Sequence, residues 1–303
     1  PGEIDCLTLP VFGLANLAAG VTSVLADVDL RHPGRANVRR LARRMREAGV
    51  QRIAGSPALL ARLAATPSAE GLPLRKVFVG GGPVFPRTIR ALRSAFPGAR
   101  VILVYGSSEA EPISVLDADQ IGVDEIDRIE SGAGLPAGAP SDGVCLRVVA
   151  ARADGAGEIQ VAGPRVVSGY LDGIGDAETK VREEEIVWHR TGDAGRLDPD
   201  GTIRLLGRVN ARVGDRFPFE VEAVALRDAG VRRAALIERE GAPVLAIEGV
   251  PGNAVAGLLR SGAVAHVVRV PEIPMDRRHR AKVDYAALRH RLCPGWIDSA
   301  GSG

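Results

Sequence analysis

The sequence predicts an α/β protein: a parallel-sheet subdomain with helices on both faces, a small β subdomain and a small α+β C-terminal lid, over residues 1–116, 117–206 and 207–303. Three observations carry this. Between Leu7 and about Pro112, short apolar runs alternate with amphipathic stretches, as in a parallel sheet covered on both faces. After about Leu116 the chain turns to short strand-like runs separated by turn signals such as DGAG and DPDG. From Gly207 strand-like and helix-like pieces alternate again, and no internal repeat is visible.

In chain order, Val21 to Asp27, Gln51 to Ala54, Lys76 to Val79 and Val101 to Tyr105 read as buried strands. Val38 to Ala48, Ser56 to Ala65 and Pro86 to Ala95 read as the helices between them, with Pro57 and Pro86 suited to first helical turns. Gly132 to Pro140 reads as a Gly/Pro-rich connector, and Val144 to Val149, Glu158 to Val161 and Thr202 to Leu206 as β-strands. The last segment places helix- and strand-like pieces at Phe219 to Ala229, Val231 to Ile237, Val244 to Gly249 and Lys282 to Leu292.

The chain has 303 residues, enough for more than one core, and 46% hydrophobic with 25% charged residues is an ordinary globular balance. Its 39 Lys+Arg against 37 Asp+Glu leave +2, so bulk charge gives no case for nucleic acid. The one basic run, Arg31 to Arg46, carries Val38, Leu41, Ala42 and Met45 at helical spacing, which makes the arginines a wet helix face. Cys6, Cys145 and Cys293 show no metal-ligand spacing, and a reduced cytoplasmic protein is the expectation. No run of about 18 apolar residues predicts a membrane span.

On an open parallel sheet, ligands sit beyond the carboxyl ends of the strands. Gly80 to Pro83 (GGGP) and Tyr105 to Glu109 (YGSSE) fall there. The second segment has two readings. Gly106-Ser107-Ser108-Glu109-Ala110 approaches the G-x-S-x-G elbow of a serine hydrolase with Ser108 as nucleophile, although Ala110 ends it and Pro112 interrupts the helix that should follow. Alternatively Tyr105 offers a face for a purine, Ser108 a hydroxyl for a phosphate oxygen and Glu109 a hard ligand for Mg²⁺. On this segment alone the readings stand open, beside a plain strand and turn.

Three more segments extend the pattern: His189 to Leu197 (HRTGDAGRL), Gly201 to Asn210 (GTIRLLGRVN) and Pro274 to Tyr285 (PMDRRHRAKVDY). Tyr-Gly-Ser-Ser-Glu, then Thr-Gly-Asp, then Gly-Arg, then a lysine near the C-terminus resembles the ordered signature of the adenylate-forming superfamily, which includes acyl-CoA synthetases, peptide-synthetase adenylation domains and luciferases. The resemblance implies ATP and Mg²⁺. It implies that Gly80, Gly81, Gly82 and Pro83 line the adenine side, that Tyr105 beside Gly106 stacks on the base, and that Ser108 contacts phosphate while Glu109 binds Mg²⁺. Asp193 would hold the ribose hydroxyls with Arg208, and Lys282 would neutralise charge as a carboxylate attacks the α-phosphate. Taken singly, Asp193 also suits a turn cap, Arg208 a surface ion pair and Lys282 a solvated lysine. The other lysines differ in setting: Lys76 begins a strand and Lys180 lies in an acidic, helix-like stretch. His189 and His279 suit packing or hydrogen bonding, since neither has metal-ligand neighbours in sequence.

Within the superfamily, Pro1 to Phe12, Gly55-Ser56-Pro57-Ala58-Leu59, Trp188-His189-Arg190 and Asp276-Arg277-Arg278-His279 resemble the olefin-pathway β-lactone synthetases and fatty-acyl-AMP ligases. This implies a fatty or β-hydroxy acyl substrate activated as acyl-AMP, with β-lactone closure, or, as an alternative, transfer to CoA or an acyl carrier protein. The Ser/Thr/Gly-rich loop ending Pro-Lys-Gly is absent, so the chain is expected to be part of a larger protein, with weak or no adenylation on its own. Asn210 stands at the hinge where the family carries aspartate or lysine, and Val213 to Glu222 is one residue short of the family form. A thiol-transfer half-reaction therefore lacks its usual hinge. A non-catalytic nucleotide-binding scaffold is the reading outside enzymology.

Overall fold

The fold, a computed structural model, describes residues 2–8, 11–26, 36–150, 152–276 and 282–292. The sequence readings at Arg277, Arg278, His279 and Cys293 lie outside them. Three sheets follow one another along the chain, and the residues divide into two units: Pro1–Gly122 with Asp276–Lys282, and Val123–Met275 with Val283–Gly303.

The first unit contains β1 (Ile4–Leu7), α1 (Val11–Ala18), β2 (Thr22–Leu25), α2 (Val38–Glu47), β3 (Arg52–Gly55), α3 (Pro57–Ala64), β4 (Lys76–Gly80), α4 (Pro86–Ala95), β5 (Arg100–Ser107) and β6 (Ala110–Asp117). The strand order is β2-β1-β3-β4-β5-β6, parallel up to β5, with β6 antiparallel at the edge. The helices start where local chemistry directs: Asn37 caps α2 by accepting from Arg40 N–H at 3.1 Å, and Ser56 caps α3 ahead of Pro57. On α2, Val38, Leu41, Ala42 and Met45 are buried and the arginines face out, as the spacing predicts. Glu3 links three strands by accepting from Lys76 Nζ at 2.8 Å and Arg52 Nη1 at 3.0 Å.

The second unit opens with α5 (Val123–Arg128), β7 (Leu135–Gly138), β8 (Cys145–Ala150), β9 (Gly157–Ala162), α6 (Asp176–Thr179), β10 (Lys180–Glu183), β11 (Ile186–Leu197) and β12 (Ile203–Arg208). They form an antiparallel sheet, β7-β12-β11-β9-β8, with β10 on β11. Here the structure differs from the sequence reading twice. The Gly/Pro connector contains a fully buried strand, β7, whose approach to β12 requires glycine: a Cβ on Gly134 would meet Leu205 O at 2.7 Å. Lys180 opens a strand instead of lying in a helix, and it is buried. Its ammonium donates to Val167 O, lies over the Tyr170 ring and contacts His189 Nδ1 at 3.2 Å, so neighbouring polar groups and a ring face compensate the buried cation. Arg204, 1% exposed, is paired with Asp198 and Glu125.

The chain continues as α7 (Pro218–Ala225), β13 (Val231–Arg239), β14 (Ala242–Gly249), α8 (Asn253–Arg260), β15 (His266–Arg269) and α9 (Tyr285–Arg291). β13 pairs antiparallel and β15 parallel with β14. Alternation along β13 sends Ala234 and Leu236 to a core with Val221, Val255 and Leu258 of α7 and α8, and Ala235 and Ile237 to a second core with Leu288 of α9.

Candidate active site

At the carboxyl end of the first sheet, Gly80 pairs with Val104, so the segments after β4 and along β5 emerge side by side. A Cβ on Gly80 would meet Val104 O at 2.7 Å, and Gly81 has φ +78°, so the glycines allow a close strand pair followed by a left-handed turn. Beyond Tyr105 the chain makes a hairpin, with Ser107 paired to Ala110 and only Ser108 and Glu109 in the turn. Two-residue hairpins favour positive φ in the turn, which Ser and Glu resist. Neither residue has it; the register shifts between Tyr105 and Ser107, and Gly106 absorbs the mismatch where a Cβ would meet Ala110 O at 2.8 Å. Ser108 is exposed and Glu109 half-buried, its N–H donating to Ser107 Oγ at 3.3 Å. A strand–turn–strand is not the strand–turn–helix of a nucleophile elbow.

Thr191-Gly192-Asp193 lies in the middle of β11, where its pairing with β9 slips: Arg190 faces Gln160 and Ala194 faces Glu158. Thr191 Oγ1 donates to Ile159 O at 2.8 Å and accepts from Asp193 N–H at 3.0 Å, filling the gap in the ladder. Gly192 has φ +67°, and a Cβ there would meet Arg208 Nη2 at 2.9 Å. The bulge thus turns Asp193 toward its β12 neighbour: Arg208 Nη1 donates to Asp193 Oδ1 at 2.7 Å and to Thr191 O at 3.0 Å. The pair is a half-buried carboxylate with one edge held by a guanidinium, an arrangement suited to accept from a diol.

Lys282 is exposed and closes a narrow hairpin stem. Its N–H donates to Asp276 Oδ1 at 2.9 Å, its carbonyl accepts from Asp276 N–H at 2.9 Å, and Met275 bridges Val283. Two buried carboxylates that the sequence reading did not single out hold the stem. Glu248 accepts from Ile273 N–H at 2.7 Å; Glu222 Oε1 accepts from Leu236 N–H at 3.0 Å and Tyr285 O–H at 2.8 Å. Burial pushes the Glu222 carboxyl up to about 7, against those two hydrogen bonds. No short motif marks Glu222, because its partner is 63 residues away.

The fold therefore brings Gly80–Pro83 and Tyr105–Glu109 together at neighbouring strand ends, and Asp193 with Arg208 across a strand pair. Lys282 has no side-chain hydrogen bond or ion pair among the described residues. His189, buried, is engaged with Lys180. Among the described residues no cluster of metal-ligating side chains occurs, and no helix is long and apolar enough to cross a membrane.

The fold is shared with solved synthetases. The amide bond synthetase McbA of Marinactinospora thermotolerans superposes with a TM-score of 0.77 at 22% identity, over 96% of this chain and 62% of that one. O-succinylbenzoate Coenzyme A synthetase of Bacillus subtilis, solved with ATP and magnesium ion, gives 0.71 at 22%, over 96% and 61%. These define the class by fold alone, an α/β scaffold with a mostly parallel sheet followed by an antiparallel β subdomain. The chain belongs to the AMP-binding enzyme family, the adenylate-forming superfamily, which residues 7–171 match. It is 32% identical to the olefin β-lactone synthetases of Stenotrophomonas maltophilia and Xanthomonas campestris pv. campestris over 93% of its length, and it spans 58% of theirs.

Proposed function

We propose that the protein is an ATP- and Mg²⁺-dependent ligase that activates a fatty or β-hydroxy acyl carboxylate as acyl-AMP and closes a β-lactone from the β-hydroxy form. The observation that carries this reading is the bulge that directs Asp193 to Arg208, because it gives each residue of Thr-Gly-Asp a task that ends in an oriented carboxylate. On this reading the subdomains are residues 1–116, 117–206 and 207–303.

The residues fit the chemistry. Glu109 is a half-buried oxygen ligand beside a free hydroxyl face at Ser108, a donor set suited to a hard cation and phosphate oxygens. The cation would supply charge neutralisation at the phosphates. Asp193 would accept from the ribose hydroxyls, and Gly80–Pro83 with Tyr105 would hold the base. The substrate carboxylate oxygen attacks the α-phosphorus, the bond to pyrophosphate breaks, and Lys282 offsets the charge that develops. In lactone closure the β-hydroxyl oxygen attacks the acyl carbonyl, its proton departs and AMP leaves. The names of the olefin β-lactone synthetases support this substrate class.

The test is acyl-dependent pyrophosphate exchange by the intact protein. Lys282→Ala and Asp193→Ala are each expected to lower it roughly a hundredfold or more, on the scale of lost electrostatic contacts to a transition state. Unchanged exchange in Lys282→Ala would remove the lysine from the reaction, and ATP binding without exchange by the intact protein would favour the scaffold reading. Ser108 is expected to resist a fluorophosphonate, whose covalent adduct there would favour the hydrolase. Consumption of CoA or holo-carrier protein during turnover would favour the thiol-transfer alternative.

A further inference from the structure

The stem that carries Lys282 is held on both legs by carboxylates removed from solvent. Glu222 is 2% exposed and Glu248 3%. The Glu248 leg is fixed through a backbone N–H, but the Glu222 leg is fixed through a side chain, Tyr285, three positions beyond Lys282. The Tyr285 ring packs with Met275 and Val283, the bridge of the same stem, against the α9 face of the lid sheet. Asp284, between bridge and ring, caps α9 by accepting from Ala287 N–H at 2.9 Å and donates its own N–H to Pro274 O at 2.8 Å. The path from Glu222 to Lys282 is therefore Oε1, Tyr285 O–H, the start of α9 and the Met275–Val283 bridge.

A purely structural contact at this place does not call for an acid. Burying a carboxylate is costly, and an apolar or amide side chain on α7 would fill the space without that cost. Among the elements packed on α7, β13 gives Glu222 the Leu236 N–H and α9 gives it the Tyr285 O–H; no charged side chain from α8, β12 or the turn at Ile129–Ala133 acts on it. Its hydrogen-bond strength toward Tyr285 thus depends on its own protonation.

We propose that Glu222 and Tyr285 are a proton-sensitive positioning pair for Lys282: the ionised Glu222 carboxylate draws in the Tyr285 hydroxyl, fixes the Met275–Val283 stem and holds the lysine where adenylation needs it. Protonating Glu222 replaces a charge-assisted hydrogen bond with a neutral one and loosens the stem. The pair acts on Lys282 through the chain and does not touch substrate.

This rests on the role given to Lys282 above, and the experiment separates the two. In the intact protein, Tyr285→Phe keeps the ring and removes the hydroxyl, whereas Glu222→Gln keeps an acceptor and removes the proton. Pyrophosphate exchange is followed against pH, with melting temperature and hydrogen exchange of the amides from Lys282 to Leu288. Tyr285→Phe is expected to lower kcat roughly tenfold with little change in the KM for ATP, the scale of misplacing a reacting group by a fraction of an ångström. Its acid limb should disappear, because Glu222 then has no hydroxyl through which its charge reaches the stem. Glu222→Gln, whose amide offers only the neutral hydrogen bond, should likewise lose the limb and stay near the rate that wild type shows at its acid end, and amide exchange near Lys282 should quicken in both variants. A wild-type rate and pH profile in Tyr285→Phe, or a rate loss that follows melting temperature with an unmoved profile, would overturn the proposal. If Lys282→Ala leaves exchange of pyrophosphate unchanged, the role given to Lys282 fails instead, and the pair is judged on amide exchange alone.

Discussion

Glu222 shows how one residue can set a pH dependence that composition does not reveal. Its carboxyl is raised to about 7 in the fold, while in the unfolded chain it titrates near 4.5. Between those values the unfolded state has lost its proton and the folded state still holds one, so this group's contribution to stability falls as pH rises from about 4.5 to about 7 and is level above. Glu222→Gln should remove up to about 3 kcal/mol of that slope, read from urea unfolding of wild type and variant across that range. Asp198 acts oppositely: Arg204 and Arg128 hold its carboxyl low despite burial, so its contribution is present above the ordinary carboxylate range and lost as pH falls through its folded value. At this scale Asp193 and Arg208 were paired only through the family resemblance that Thr-Gly-Asp and Gly-Arg carry, and the hydrogen bond between them is what the fold adds. Glu222, Glu248 and Tyr285 were not legible, because their contacts join distant segments. Lys180 was read into the acidic, helix-like stretch before it, but that helix ends at Thr179, and only the fold supplies the carbonyl, ring and imidazole that allow the lysine inside.

Among the elements, regular ones with a clear period were readable and irregular ones were not. The strands β2 to β5 and helices α2 to α4 follow apolar spacing, with proline in the first turn of α3 and α4. β7 was hidden because Gly and Pro signal a linker, whereas here Gly134 serves a close approach to β12. β6 was hidden because Glu-Pro after a turn reads as a loop; Pro112 is accommodated because β6 is an edge strand. The same close-approach logic makes Gly80 testable. Gly80→Ala would push a methyl group into Val104 O, so the variant should lose about 2 kcal/mol or more of stability in chemical unfolding and weaken nucleotide binding together with it.

Across the whole molecule, three sheets in series give alternating demands on the sequence: buried parallel strands first, then antiparallel strands with turns, then a small mixed sheet covered on both faces. That succession made the fold class readable from grammar alone. What grammar does not show is surface. At the β2 edge of the first sheet, Leu14 and Leu17 of α1 and Leu25 of β2 are 75%, 77% and 65% exposed, a concentration of apolar side chains on one margin. The 303-residue chain should therefore self-associate with rising concentration, and Leu14→Glu with Leu17→Glu should lower its weight-average mass in sedimentation equilibrium. An unchanged mass profile would place the contact elsewhere.

The turn at Ser108 and Glu109 limits how this protein can vary. With two residues between paired strands, there is no slack: adding one would not lengthen a loop but slide β6 along β5. Each residue of β6 would then exchange faces, and Ser114, fully buried opposite Tyr105, would be turned outward. The hairpin can thus vary in its side chains while its length stays fixed, and insertions are tolerated only where the chain is not counted in pairs.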